Sequence, residues 1–278
     1  MKKRIIAGCV CGVLAICLIV LFSSDILRGP EVKPASDLPS KTDISAEAAK
    51  DLSEVPEDIA AKLQEAKDIN DDTKGWLYIP DTPVDYPVVQ YEDNEYYTRR
   101  GLDGNYNFEG VLFFDYMDKV TGSFKDFTQN TIIYGHNTTT SGIGTEMFAS
   151  LLNYEDQAYA EAHPYLYLVT DEGQSVWEIF AGFHTDIDFY YIENEPDEQA
   201  FKDMVDTAKR RSTFTYEVTP SGDDKILTLS TCAYKYRTAA QGDERFVIMA
   251  RQIENPTSDD IREIKVTPNT SMEEPVFS

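Results

Sequence analysis

A mainly β domain with a few added helices is the fold class that the 278-residue sequence predicts. Three observations carry it. Eight short segments are enriched in Val, Ile, Tyr, Phe and Thr, with Gly, Pro and Asp between them. Helical periodicity is confined to three places. No Pro- or Gly-rich linker interrupts residues 57–255, so one domain accounts for them.

The elements follow in order. Lys2, Lys3 and Arg4 precede an uninterrupted apolar run from Ile5 to Phe22, whose 18 residues reach the lower end of what spans a bilayer as a helix. The basic residues place that end in the cytoplasm. The run closes on Phe22-Ser23-Ser24-Asp25 without a small-x-small cleavage site. An uncleaved signal-anchor over residues 5–22, behind a basic end at 1–4, is therefore favoured over a cleaved signal peptide. Residues 23–56 hold Pro30, Pro34, Pro39 and Pro56 among polar residues and read as an extracellular spacer.

A helix over about Glu57–Lys67 has Ile59, Leu63 and Ala66 at helical spacing. Strands are expected at Gly75–Ile79, Val84–Val89, Gly110–Asp115, Thr131–Tyr134, Tyr165–Thr170, Ser175–Thr185, Ile226–Cys232 and Arg245–Ile253. A short helix is expected at Met147–Leu152, and a longer one at about Asp197–Arg211 with Phe201, Met204, Val205 and Ala208 on one face. Acidic residues at its start and Lys209, Arg210 and Arg211 at its end suit the helix dipole. Residues 256–278 read as a polar tail without period.

Composition narrows the partners. A formal charge of −24 excludes a broad electrostatic footprint for nucleic acid or an anionic lipid surface. Cys9, Cys11 and Cys17 lie inside the apolar run, which leaves Cys232 as the lone thiol of the exported part and no disulfide within it. No His/Cys cluster has metal-ligand spacing, no Gly-rich loop suits a phosphate, and no Asp-x-Asp-x-Asp-Gly loop suits calcium. No metal or cofactor is expected.

Cys232 ends the segment Ile226-Leu227-Thr228-Leu229-Ser230-Thr231-Cys232. Alternation puts Leu227, Leu229 and Thr231 on one face and Thr228, Ser230 and Cys232 on the other. A thiol sharing a face with two hydroxyls at a strand end is better placed as a nucleophile than as an inert core residue. If the following strand pairs with this one antiparallel, its first residue, Arg245, lies beside Cys232 and offers fixed donors to a developing oxyanion. A thiol nucleophile works with a proton partner, and His136, His163 and His184 are the histidines available. His136 follows a strand that stops at Gly135 and is the favoured partner. His163 sits before Pro164 as a cap or surface residue, and His184 is the weaker alternative.

These residues resemble a known family. Thr228-Leu229-Ser230-Thr231-Cys232 is similar to the TLxTC signature of the sortases, surface-anchored cysteine transpeptidases of Gram-positive bacteria. Tyr134-Gly135-His136-Asn137 and Arg245-Phe246-Val247-Ile248 stand where that family keeps its histidine and arginine. Gly75-Trp76-Leu77-Tyr78-Ile79-Pro80, Asp85-Tyr86-Pro87-Val88-Val89-Gln90, Asp93-Asn94-Glu95-Tyr96-Tyr97 and the helix ahead of the cysteine strand resemble the class B branch.

The resemblance implies an eight-stranded β-barrel with an N-terminal helix and a helix inserted before the cysteine strand. It implies a two-step transfer in which Cys232 forms a thioacyl-enzyme with the C-terminal sorting motif of a surface protein, and an amine of cell-wall peptide or pilin accepts the acyl group. Cys232, His136 and Arg245 are its catalytic candidates. Ser230 and Thr231, with Asn94, Thr98, Tyr191 and Ile192, are candidates for substrate contact, although an aromatic such as Tyr191 reads more readily as packing than as a binding wall. A cysteine hydrolase using water as acceptor and an anchored, non-enzymatic binding module are the alternatives.

Overall fold

The computed structural model describes residues 56, 58–121, 123–138, 147–257 and 260–277. The basic end at 1–4, the apolar run at 5–22 and the spacer up to residue 55 lie outside the described residues. Among the described residues no helix is long and apolar enough to cross a membrane.

Eight strands close a barrel in the order β1-β2-β3-β4-β8-β9-β6-β5. They are β1 (Thr73–Tyr78), β2 (Asp85–Val89), β3 (Leu112–Phe114), β4 (Asn130–Tyr134), β5 (Tyr165–Thr170), β6 (Gly173–Thr185), β8 (Ile226–Cys232) and β9 (Arg245–Ile253). All eight expected strands are present, β3 shorter than expected at both ends. Most neighbours run antiparallel, but β2 pairs β3 and β4 pairs β8 in parallel. The second of these parallel pairs sets up the functional end of the barrel.

Among the described residues three α-helices decorate it: α1 (Ile59–Ile69), α2 (Gln157–Ala162) and α3 (Glu198–Arg211). In α1, Ile59, Leu63 and Ala66 pack on Trp76 and Val169. The short helix expected at Met147–Leu152 is a 3-10 helix over Phe148–Glu155. It is followed by α2, which the sequence pattern does not announce, because its six residues bury a single side chain, Ala160.

Two apolar layers result from alternation along the strands. Leu227 and Leu229 of β8 and Phe246, Ile248 and Ala250 of β9 fill the barrel. Their neighbours Ile226, Val247 and Met249 point outward beneath α3, where Phe201, Met204, Val205 and Ala208 cover them. Burying Phe201, Met204 and Val205 contributes roughly 1.5–3 kcal/mol each. The Asp197 carboxylate caps α3 by accepting from the Ala200 N–H at 2.8 Å.

The chain beyond Pro256 departs from the expected featureless polar tail. Ile264 and Val266 enter the barrel core. The strand β10 (Thr267–Pro268) pairs with β7 (Phe214–Thr215). Asn269 then caps α3 from outside, its Nδ2 donating to the carbonyls of Arg210 at 3.2 Å and Ser212 at 2.9 Å. The apolar residues of this stretch, Ile261, Ile264, Val266, Met272, Val276 and Phe277, follow no helical or strand period, so this docking was hidden in the sequence.

Candidate active site

Strand pairing assembles the site. In the parallel pair of β4 and β8, Tyr134 is level with Ser230, so both strands stop at the same end of the barrel. His136 leaves β4 there and Cys232 ends β8. The antiparallel register of β8 and β9 makes Cys232 and Arg245 direct partners, as the sequence predicts. Arg245 is in turn level with Thr185 on β6.

Short hydrogen bonds lace the β4 and β8 ends together. The Gly135 N–H donates to the Ser230 carbonyl at 3.2 Å, and Thr231 Oγ1 donates to the Gly135 carbonyl at 2.8 Å. Asn137 Nδ2 donates to the Cys232 carbonyl at 3.0 Å. This closeness needs glycine: a Cβ at position 135 would stand 2.4 Å from Leu112 Cδ2 and 2.7 Å from Phe148 Cδ2.

The strand ends open into a cavity of about 310 Å3. Cys232, His136 and Arg245 line it, with Ser230, Thr231, Asn94 and Thr98 of the expected substrate contacts. Phe113, Tyr134 and Gly135 complete the wall; sequence reading did not single them out. A larger groove of about 760 Å3 runs along the start of α3 and holds none of these residues. Among the described residues no group of three or more His, Cys, Asp and Glu side chains is arranged to hold a metal ion.

Residues 77–253 match the Sortase domain family. The chain belongs to the sortase family, in its class B branch. A sortase B of Listeria monocytogenes is 39% identical over 176 residues, covering 63% of this chain and 68% of that protein. A sortase B of Staphylococcus aureus is 28% identical over 203 residues, covering 73% and 79%. Among solved structures, a Staphylococcus aureus sortase B–substrate complex superposes with a TM-score of 0.62 at 26% identity, over 70% of this chain and 86% of that one. The protein is a cysteine transpeptidase of this type.

Within this sortase the side chains divide by what they can do. The His136 ring places Nε2 2.7 Å from the Thr98 carbonyl oxygen. A carbonyl only accepts, so Nε2 carries the proton and Nδ1 is left for exchange. Burial holds the His136 imidazole below its ordinary value; the Thr98 hydrogen bond opposes this and the nearby Arg99 charge adds to it. The contribution of Thr98 thus runs through its backbone, while its hydroxyl donates to the Glu95 carbonyl at 2.6 Å. Gly110 allows the Thr98 segment to press this close: its φ is +64°, and a Cβ there would lie 2.6 Å from the Tyr97 carbonyl oxygen.

Asn94 lines the cavity with its amide already engaged. Nδ2 donates to Asp115 at 2.8 Å and Oδ1 accepts from the Tyr116 N–H at 2.9 Å. Asp115 also accepts from the Tyr134 hydroxyl at 2.9 Å. Tyr191 and Ile192 do not reach the cavity wall. Tyr191 is buried in the layer beneath α3, with Ile192 packed against it. Its hydroxyl is 2.8 Å from Ser230 Oγ, so it supports Ser230 from behind, and packing is the reading the geometry favours.

The other histidines are also elsewhere. His163 Nδ1 lies 3.0 Å from the Pro80 carbonyl oxygen. His184 is buried on β6, level with Phe246, with Nδ1 2.8 Å from the Glu244 carboxylate. Arg245 itself donates from one terminal nitrogen to the carbonyls of Gly242 at 2.8 Å and Glu244 at 2.9 Å.

Proposed function

We propose that this sortase cleaves a C-terminal sorting motif and transfers the acyl group to an amine, with Cys232 as nucleophile, His136 as proton carrier and Arg245 as oxyanion donor. The observation that carries this reading is the meeting of the three side chains on one cavity of about 310 Å3, with Cys232 and Arg245 as register partners.

In the first step the Cys232 thiolate attacks the carbonyl carbon of the motif threonine and a C–S bond forms. Arg245 stabilises the oxyanion of the tetrahedral intermediate. The C–N bond breaks as His136, in its imidazolium form, gives its proton to the departing amine. In the second step the acceptor amine attacks the thioacyl carbon, His136 takes up its proton, and Cys232 leaves again as thiolate. Burial of His136 works against its imidazolium form and so lowers the share of enzyme that carries the proton the leaving amine needs.

The apolar run Ile5–Phe22 would hold the chain in the membrane with the catalytic domain outside. The substrates are then surface proteins arriving at the outer leaflet, and the acceptor is an amine of cell-wall peptide or a pilin subunit. The test is mass spectrometry of the enzyme with a library of five-residue sorting peptides, with and without added amine. The expected result is a thioacyl adduct on Cys232 and, with amine present, a transpeptidation product. An adduct on Cys232→Ala would overturn the assignment of the nucleophile. Hydrolysis alone, at every amine concentration, would overturn transpeptidation in favour of a hydrolase.

A further inference from the structure

The connection between Cys232 and Arg245 is folded around one buried side chain that the mechanism above does not use. Glu244 is 1% exposed, in a stretch whose sequence reads as a solvated loop. One carboxylate oxygen accepts from the Lys235 N–H at 3.1 Å and lies 2.8 Å from His184 Nδ1. The other accepts from the N–H groups of Tyr236 at 2.9 Å and Arg237 at 2.8 Å. Three successive backbone donors and an imidazole thus converge on a single carboxylate, an anion-binding nest occupied from within the chain. The bonds are charge-assisted, which makes them stronger than neutral ones.

The backbone of Glu244 works at the same place. Its carbonyl accepts from the Ala233 N–H at 3.1 Å, the residue after Cys232. The same carbonyl accepts from the Arg245 guanidinium at 2.9 Å. The orientation of that carbonyl therefore fixes both where the chain leaves Cys232 and where the Arg245 fork points, and the nest fixes the carbonyl. His184 completes the arrangement from β6, level with Phe246, its ring edge-on to Phe246 at 4.9 Å.

We propose that Glu244 is a positioning residue for Arg245, aiming the guanidinium at the cavity by gathering the 235–237 backbone around its carboxylate, with His184 as its fixed partner. The proposal rests on the reading of Arg245 as oxyanion donor. It concerns the transition state, so the effect falls on kcat. A group displaced by about 1 Å costs about 100-fold in rate.

The test uses the full-length enzyme. Glu244→Gln keeps size and shape but turns an amide group toward backbone donors. Its expected effect is a fall in kcat for sorting-peptide cleavage of about 10- to 100-fold with KM within about twofold. In an Arg245→Ala background the same substitution is expected to change kcat by less than about threefold, because the group it aims is gone. A loss that multiplies in full with that of Arg245→Ala overturns the proposal and leaves the catalytic reading standing. His184→Gln, a milder change, is expected to give a smaller fall that also disappears without Arg245, and serves if Glu244→Gln does not fold. Hydrogen exchange read by mass spectrometry needs no substrate. Faster exchange of the 235–237 amides in either variant is expected, and unchanged exchange overturns the proposal whether or not any peptide is cleaved. An inactive wild type with the expected exchange pattern would instead overturn the functional reading alone.

Discussion

The two faces of the cysteine strand are both buried, and they differ in what they carry: the inner one is mainly leucine, while the outer one adds paired polar groups to the apolar Ile226. Toward the barrel interior, Leu227 and Leu229 are fully buried among apolar side chains. Toward α3, Thr228 Oγ1 donates to Asn130 Oδ1 at 2.6 Å and Ser230 Oγ meets the Tyr191 hydroxyl at 2.8 Å. Asn130 in turn donates to the carbonyls of Tyr191 and Glu193, each at 3.0 Å. Apolar packing is non-directional and tolerates small shifts. A buried polar layer must satisfy each group, and thereby fixes a position. The inner face holds the barrel closed, whereas the outer face, which ends at Cys232, sets where the thiol stands.

The harshest way to break this division is Gly135→Ala, at the point where the two layers meet. The added Cβ would overlap Leu112 and Phe148 of the inner core, while the Gly135 backbone is bonded to Ser230 and Thr231. Overpacking of this kind costs typically about 1–3 kcal/mol and occasionally more, and His136, the next residue, moves with it. Near-complete loss of peptide cleavage is expected together with a lower Tm. Full activity in the purified variant would show that the site does not depend on this contact.

Leu229→Ala separates stability from chemistry. Truncating a fully buried leucine costs about 2–5 kcal/mol, which urea unfolding reads directly. The remaining folded enzyme is expected to keep its kcat, since the outer layer is untouched. Tyr191→Phe is the converse. It removes the partner of Ser230 and costs about 1–3 kcal/mol for the buried hydroxyl left behind, yet it is expected to lower kcat more than Leu229→Ala does. Equal effects of the two on kcat would erase the distinction between the faces.

How far the sequence reaches follows from the same contrast. Strand β9 carries an unbroken apolar run from Phe246 to Ala250 and β8 alternates Leu227 and Leu229 with hydroxyl residues, so their existence and their antiparallel pairing could be read, and with the pairing came Arg245 beside Cys232. The parallel neighbour β4 brings His136 to the same end through Tyr134 and Ser230, a juxtaposition that sequence spacing across 96 residues does not express. Tyr191 and Ile192 were expected at the cavity and lie in the layer beneath α3, because an aromatic in a loop carries no mark of which side of the sheet it covers. Glu244 was missed altogether. A glutamate in a polar connection reads as solvated, and only the fold reveals the three N–H groups it gathers.

The finest distinction between the layers is their response to pH, and Asp118 carries it. Its carboxylate sits in the outer network, accepting from Asn194 Nδ2 at 2.6 Å, Thr128 Oγ1 at 3.1 Å and the Ile132 N–H at 2.8 Å. Burial pushes its pKa up from 3.8 to about 7; the three hydrogen bonds oppose this and the nearby Asp115 charge adds to it. A group whose folded value lies above its unfolded one binds its proton more tightly in the folded chain. It contributes stability that is fully present below 3.8 and is lost as pH rises to about 7. Asn at position 118 has no proton to lose. The urea midpoint of Asp118→Asn, measured relative to wild type, is therefore expected to rise steadily from about pH 4 to about pH 7 and then level off. The apolar inner face has nothing that titrates, so Leu229→Ala is expected to differ from wild type by the same amount across that range. A constant offset for Asp118→Asn as well would place the carboxylate in a wetter setting than its hydrogen bonds indicate, and would leave the outer layer as indifferent to pH as the inner one.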